Sequence, residues 1–352
     1  MKYARTRILA CLALGAFCCQ FCSKSASTGG SAVTGTDASS AGLLLPAVPY
    51  AYSAASYPAY ILTDLAQNDN TPADNPITDN GATLGRVLFY DKNLSQNQTI
   101  SCSSCHNPSL SFSDTAVKSR GFAGGLTTRH SMALLNVRFY RSGKMFWDER
   151  ANTLEDQVLQ PIQNTTEMGM TLDQLVSRIN NLTYYPVLFK NAFGTTEVSA
   201  NRVSKALAQF VRSIVTYQSR YDQVKQGRAS FTADEAAGET LFLTAGNQPC
   251  GGCHKPPMFL TSDPAAPFGL PDPTDHGINN QNRFKSGSLR NIALTAPYFH
   301  NGSVASLQTM LANGIPAHTV APQDRAKILA FLQTLTDATV STDIKFSNPF
   351  QP

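Results

Sequence analysis

"ISCSSCHNPSLSFSD", residues 100–114, places two cysteines three apart with a histidine directly after, and "QPCGGCHKPP", residues 248–257, repeats the arrangement. A C-x-x-C pair serves zinc binding, dithiol exchange or covalent haem attachment, and the surroundings separate the three. Two pairs that share a zinc lie about 15–20 residues apart, whereas Cys105 and Cys250 are 145 apart. Thioredoxin-like exchange calls for a βαβ context, which this chain does not offer. Structural disulfides suit an exported chain, but here they would close tiny strained loops and leave both histidines unexplained. Haem attachment uses every residue. The thiols of Cys102 and Cys105, and of Cys250 and Cys253, add to the vinyl groups of two haems, and His106 and His254 lie beneath the rings as axial iron ligands. The expected cofactors are therefore two covalently attached haem c groups.

Working outward, the first 26 residues carry Lys2, Arg5 and Arg7, then an apolar run from Ile8 to about Phe21, then small polar residues. That is the layout of a secretory signal, too short for a spanning helix. It also holds the remaining cysteines, Cys11, Cys18, Cys19 and Cys22. Cys11 and Cys22 are the best placed for lipid attachment; the plain alternative is a cleaved signal whose cysteines are apolar filler. Periplasmic location follows, with or without a lipid tether. Lys2, Arg5, Arg7 and Lys24 account for four of the 28 basic residues, leaving 24 against 24 acids. A balanced chain gives no reason to expect nucleic-acid binding.

Residues 27–60 are rich in Ser, Thr, Gly, Ala and Pro with almost no charge and read as a disordered spacer. Beyond them the periodic segments are helical. "TLDQLVSRINN" (171–181) opens on a Thr171 cap with Gln174 three later, and "TADEAAGETLFLT" (232–244) on Thr232 with Glu235. "NRVSKALAQFVRSIVTYQSRYDQ" (201–223) keeps one apolar face and reads as a single long helix, and "PQDRAKILAFLQTLT" (322–336) starts on proline. Strand patterns are scarce, so the fold class is all-α with long loops. The joint falls near "DQVKQGRAS" (222–230), giving a haem unit at 61–225 and a second at 226–352.

Two further blocks carry a resemblance: residues 127–170, from "TTRHSMALLN" through "FWDER" to "EMGM", and "FKSGSLRNIALTAPYFHNGSVASLQ", residues 284–308. With both haem motifs they closely resemble the dihaem bacterial cytochrome c peroxidases and their MauG-like relatives, from about Leu84 to Leu335. The resemblance implies two cytochrome c-like domains, the N-terminal haem reacting with peroxide and the C-terminal haem relaying electrons. It places the tryptophan between the haems at Trp147 of "FWDER", the catalytic carboxylate at Glu167 of "EMG", and Gln157 beside it. A carboxylate above an open iron can take a proton from the bound oxygen and return it to the departing one.

Two departures from the family pattern matter. Many members close the resting haem with a histidine seven residues before the arginine matched by Arg129, and that position here is Phe122. The first haem is thus expected to be open without prior reduction. His130 replaces the family's calcium-binding asparagine; it weakens the case for calcium at Thr295 and Pro297, and is itself a rival iron ligand. The sixth ligand of the second haem, methionine or tyrosine fourteen residues after the histidine matched by His300, falls on Gly314. Met310 is the first substitute and His318 the next. His300 is expected at a haem propionate and His276 in an exposed loop.

These readings combine into a periplasmic dihaem peroxidase that reduces hydrogen peroxide to water with electrons from a small donor such as a monohaem cytochrome c or a cupredoxin; the family's members are often homodimers. The rivals are a MauG-like oxidase of a partner protein and a non-enzymatic dihaem electron carrier.

Overall fold

The computed structural model describes residues 42–53, 56–244, 250–260, 272–312, 315 and 318–350; the signal at 1–26, the spacer up to residue 41 and Gly314 lie outside the described residues. Its helices are α1 (Ala59–Asn68), α2 (Asp79–Tyr90), α3 (Cys102–Cys105), α4 (Leu154–Gln163), α5 (Leu172–Asn180), α6 (Tyr185–Phe193) and α7 (Ala200–Arg212). They continue with α8 (Arg220–Lys225), α9 (Ala233–Thr244), α10 (Cys250–Cys253), α11 (Leu307–Ala312), α12 (Pro322–Thr334) and α13 (Thr339–Thr342). Among the described residues β structure is confined to isolated bridges that pin loops, so the chain is all-α.

Two helix pairs form the cores, α2 on α7 and α9 on α12, and they are built alike. A Cβ at Gly85 would lie 2.0 Å from the Ala206 carbonyl oxygen, and one at Gly238 would lie 2.0 Å from that of Lys327. Only glycine lets the backbones approach so closely. One turn on, Phe89 meets Phe210 with ring centres 5.3 Å apart, and Phe242 meets Phe331 at 5.2 Å. Burying each such ring stabilises by about 1.5–3 kcal/mol, and the tilted pairing adds about 0.5–1.5 kcal/mol.

The likeness extends through the loops. Asn136 and Asn291 share one left-handed backbone conformation, φ 60° and ψ 18°. The Asn136 side chain accepts from the Thr216 amide at 3.0 Å and donates to the Thr216 hydroxyl at 2.8 Å. That of Asn291 accepts from the Asp337 amide at 2.6 Å and donates to the Asp337 carbonyl at 3.0 Å. Each asparagine thereby ties the loop after its haem motif to the end of its core helix. The bridges Met145 to Ala151 and Tyr298 to Val304 also correspond. Beyond them the halves part: residues 152–199 insert α4, α5 and α6 before α7, whereas among the described residues of 305–321 only α11 precedes α12.

Three expectations need correction. The helix read over 201–223 is two helices, α7 and α8, because Asn136 holds the chain at Thr216 and a Ser219–Asp222 capping box starts a new helix. Ile214 and Val215 continue the buried stripe, but outside a helix. The spacer read to residue 60 carries structure from residue 42 on: Tyr52 is 2% exposed, its amide bonds Asp79, and Pro58 caps α1. Aromatic residues scattered through a bland composition anchor it. Finally, the C-terminal stretch assigned to the second unit packs into the first core through Val340 and Phe346. There Arg86 Nε donates to the Ser347 carbonyl at 2.7 Å and the Tyr90 hydroxyl to that of Phe346 at 2.5 Å.

Polar contacts tie the halves together. Arg290 forks onto Asp222 at 2.8 and 2.9 Å, both side chains being 0% exposed. Arg129 reaches across to Asp275 at 2.6 and 2.8 Å, and Asp148 of its own half holds the same guanidinium at 2.7 Å.

Candidate haem sites

Each C-x-x-C forms a single helical turn. The backbone N–H of His106 donates to the Cys102 carbonyl at 3.0 Å, and that of His254 to Cys250 at 2.8 Å. One turn carries both thiols and delivers the histidine at its C-terminal end. After each motif the chain doubles back through a buried phenylalanine with positive φ, Phe112 at 58° and Phe259 at 52°. His106 Nδ1 lies 3.1 Å from the Phe112 carbonyl oxygen. A carbonyl only accepts, so Nδ1 carries the proton and Nε2 keeps its lone pair for a metal, the usual arrangement of a ligating histidine. Burial holds the imidazole neutral by pushing its pKa down. Burial likewise pushes the Cys102 thiol up to about 12 and Cys105 up to about 11. These are neutral, inward-facing thiols, suited to thioether formation and unsuited to a solvent-facing thiolate. The residues fit a covalently held haem at both motifs.

Glu167 lies close enough to the first motif that its charge contributes, behind burial, to raising both thiols. Its own amide is held by the Asn164 carbonyl at 3.1 Å and the Asn164 side chain at 3.2 Å, and its carbonyl accepts from Phe122 at 2.9 Å. Glu167 lines a polar pocket with Gln160, Gln163, Asn164, Arg150 and Phe146. Burial raises its pKa above the usual carboxylate range, with Arg150 opposing. The Arg150 guanidinium stacks 3.5 Å over the Phe146 ring. Gln157 is not among the residues lining this pocket; Gln160, one turn further along the same face of α4, is. The i, i+3 spacing was visible in the sequence, but not which of the two glutamines the helix presents.

The second site is apolar. A cavity contains Cys250, Cys253 and His254, with Met310, His318 and Leu311 also lining it. His254 Nδ1 is 3.3 Å from the Ser286 hydroxyl. Burial, then neighbouring His318, pushes the His254 pKa down to about 4. The His254 and His318 ring centres are 6.5 Å apart.

Trp147 lines the same cavity and turns its Nε1–H onto the His130 carbonyl at 2.7 Å. Its own carbonyl accepts from Lys285 at 2.8 Å. Lys285 is buried, its ammonium 3.9 Å from the centre of the Tyr140 ring and donating to the Lys144 carbonyl at 2.8 Å. Burial lowers its pKa to about 7. Nothing along the chain marks Lys285, since a lysine is ordinarily read as surface. His300 stacks on Phe284 at 3.6 Å, facing Asp272 at 3.6 Å, and His276 is exposed.

Thr295 and Pro297 line this cavity together with His130, whose Nδ1 is 3.0 Å from the Ala116 carbonyl. Calcium takes about six to eight oxygen ligands, and an imidazole at this position does not fit that donor set.

The comparisons agree with this geometry. A family model described as di-haem cytochrome c peroxidase matches residues 79–230. The methylamine utilization protein MauG of Methylorubrum extorquens is 34% identical over 289 residues, covering 75% of this chain and 80% of that protein. The cytochrome c551 peroxidase of Nitrosomonas europaea is 34% identical over 273 residues, covering 72% and 79%. A solved MauG-like protein associated with microbial copper homeostasis superposes with TM-score 0.72 at 30% identity, covering 84% of this chain and 98% of that one. With its two equivalent haem motifs on paired helical cores, the chain belongs to the dihaem cytochrome c peroxidase and MauG-like family of oxidoreductases.

Proposed function

We propose that the protein is an exported dihaem peroxidase that reduces hydrogen peroxide to water with electrons from a small donor protein, a monohaem cytochrome c or a cupredoxin. The observation that supports this most is the polar pocket around the half-buried Glu167, whose charge adds, behind burial and nearer groups, to raising both thiols of the first motif. Bound haem supplies a redox-active iron. The protein's part is to hold a proton acceptor there: Glu167 takes a proton from peroxide and hands it to the departing oxygen, with Gln160 positioned to hydrogen-bond the same oxygens. Phe122 stands where a closing histidine would and itself supplies no nitrogen to the iron. Trp147, bonded to His130 and lining the His254 cavity, shortens the electron path from the second haem. Covalent attachment through the four cysteines, and export by the N-terminal signal with or without a lipid, belong to the same reading; no helix among the described residues is long and apolar enough to cross a membrane.

A second reading, oxidation of a partner protein, is favoured by the equal 34% identity to a MauG. The deciding experiment is peroxide-dependent oxidation of a reduced small donor by the holoprotein as isolated, without pre-reduction, beside Glu167→Gln. Rapid turnover that collapses in the variant is expected. No turnover even after pre-reduction overturns the peroxidase and leaves the partner oxidase.

A further inference from the structure

We infer that His318, not Met310, is the second axial ligand of the C-terminal haem, making that centre a bis-histidine haem. The inference rests on the dihaem reading and deepens it. An imidazole nitrogen binds a metal at about 2 Å and its ring centre lies about 1 Å further back, so two histidines on opposite sides of one ion hold their ring centres about 6 Å apart. The observed His254 to His318 separation is 6.5 Å, with the planes 60° apart. The two rings do not stack face to face, unlike Phe284 and His300, whose centres are 3.6 Å and planes 6° apart.

Both histidines line the cavity that holds Cys250 and Cys253. Ser286 engages His254 at Nδ1, which leaves Nε2 for the iron. His318 is steadied by its backbone, whose N–H donates to the Ile315 carbonyl at 3.0 Å, and by the Phe299 ring set edge-on at 5.6 Å. Met310 also lines the cavity, but it lies on α11 packed against the apolar side chains of the second core, the ordinary place of a gap-filling methionine.

The functional consequence is electronic. A methionine ligand raises a haem's reduction potential; two imidazoles leave it lower and keep the iron low-spin in both oxidation states. A relay haem of this kind rests oxidised and changes little on accepting an electron, in keeping with a first haem that needs no preparatory reduction.

The test is spectroscopic, on the purified dihaem protein. The wild type is expected to show a low-spin haem with the electron paramagnetic resonance and near-infrared signature of two imidazole ligands, and no methionine-to-iron charge-transfer band in the far red. Met310→Leu should leave these spectra unchanged. His318→Gly should convert the second haem to high spin, and added imidazole should restore the low-spin signal, which separates ligand loss from misfolding. A far-red methionine band in the wild type that disappears in Met310→Leu, or an unaltered low-spin signal in His318→Gly, overturns the inference. These readouts need no peroxide turnover, so failure of the peroxidase reading and failure of this one are told apart.

Discussion

The two halves share a scaffold and differ in what they hang from it. Gly85 and Gly238, the Phe89–Phe210 and Phe242–Phe331 pairs, and Asn136 and Asn291 occupy equivalent places. Divergence is concentrated in the connection before the last core helix. In the first half residues 152–199 bring Glu167 and Gln160 to a polar pocket; in the second, residues 305–321 bring Met310 and His318 to an apolar cavity. On the proposed reading the core would keep a haem-binding turn in place, and the connecting segment would supply a proton carrier in one half and a second ligand in the other.

The sharpest way to test that division is to remove the proton carrier. Glu167→Gln should lower kcat roughly 100- to 10,000-fold, about 3–5 kcal/mol of barrier, with the second haem's spectrum unchanged. Because burial raises the Glu167 pKa and the base form does the work, wild-type kcat should fall as pH drops through a value above the usual carboxylate range. Stopped-flow pH profiles should lose that limb in the variant; an identical limb would reassign the base.

Next comes the joint. Arg290→Leu strands the fully buried Asp222 carboxylate and should cost about 3–5 kcal/mol in denaturant unfolding. Arg212→Leu should cost less, because its partner Glu155 keeps 16% exposure and water can reach it. Equal losses would mean that burial is not what separates the two pairs.

Gly85→Ala and Gly238→Ala each push a methyl group into a carbonyl oxygen and should each destabilise by about 1–3 kcal/mol. Similar losses in unfolding assays uphold the equivalence of the cores, and a loss in only one breaks it. The smallest effect belongs to Ser286→Ala, which removes the hydroxyl from His254 and makes that imidazole a weaker donor. The second haem's potential should rise by on the order of tens of millivolts with the first unmoved, as redox titration would read.

Much of this was legible in the sequence, and the physics says why. Both haem motifs are local, so spacing alone exposes them; the capping boxes at Thr171 and Thr232 are local too, and both form. The break between α7 and α8 was hidden because apolar periodicity reports burial, and Ile214 is buried outside a helix as well as it would be inside one. Tyr52 and its neighbours were masked by a composition that averages to a linker. Gln157 and Gln160 lie one turn apart on α4, and which of them reaches the pocket depends on tertiary packing that spacing along the chain does not show. For the same reason spacing along the chain could name His318 only behind Met310, since the facing of His318 and His254 is set by tertiary packing.

The return of the C-terminal stretch to the first core has a consequence in time. Phe346 and Ser347 close a core begun by α2, so the first half to emerge during synthesis or export is the last to be completed. Until the final residues arrive, Phe112, just after the first haem motif, and Phe210 lack the Phe346 ring that packs on both. A chain cut short after Asp337 would keep the second core and its Asn291 tie and leave the first half unfinished.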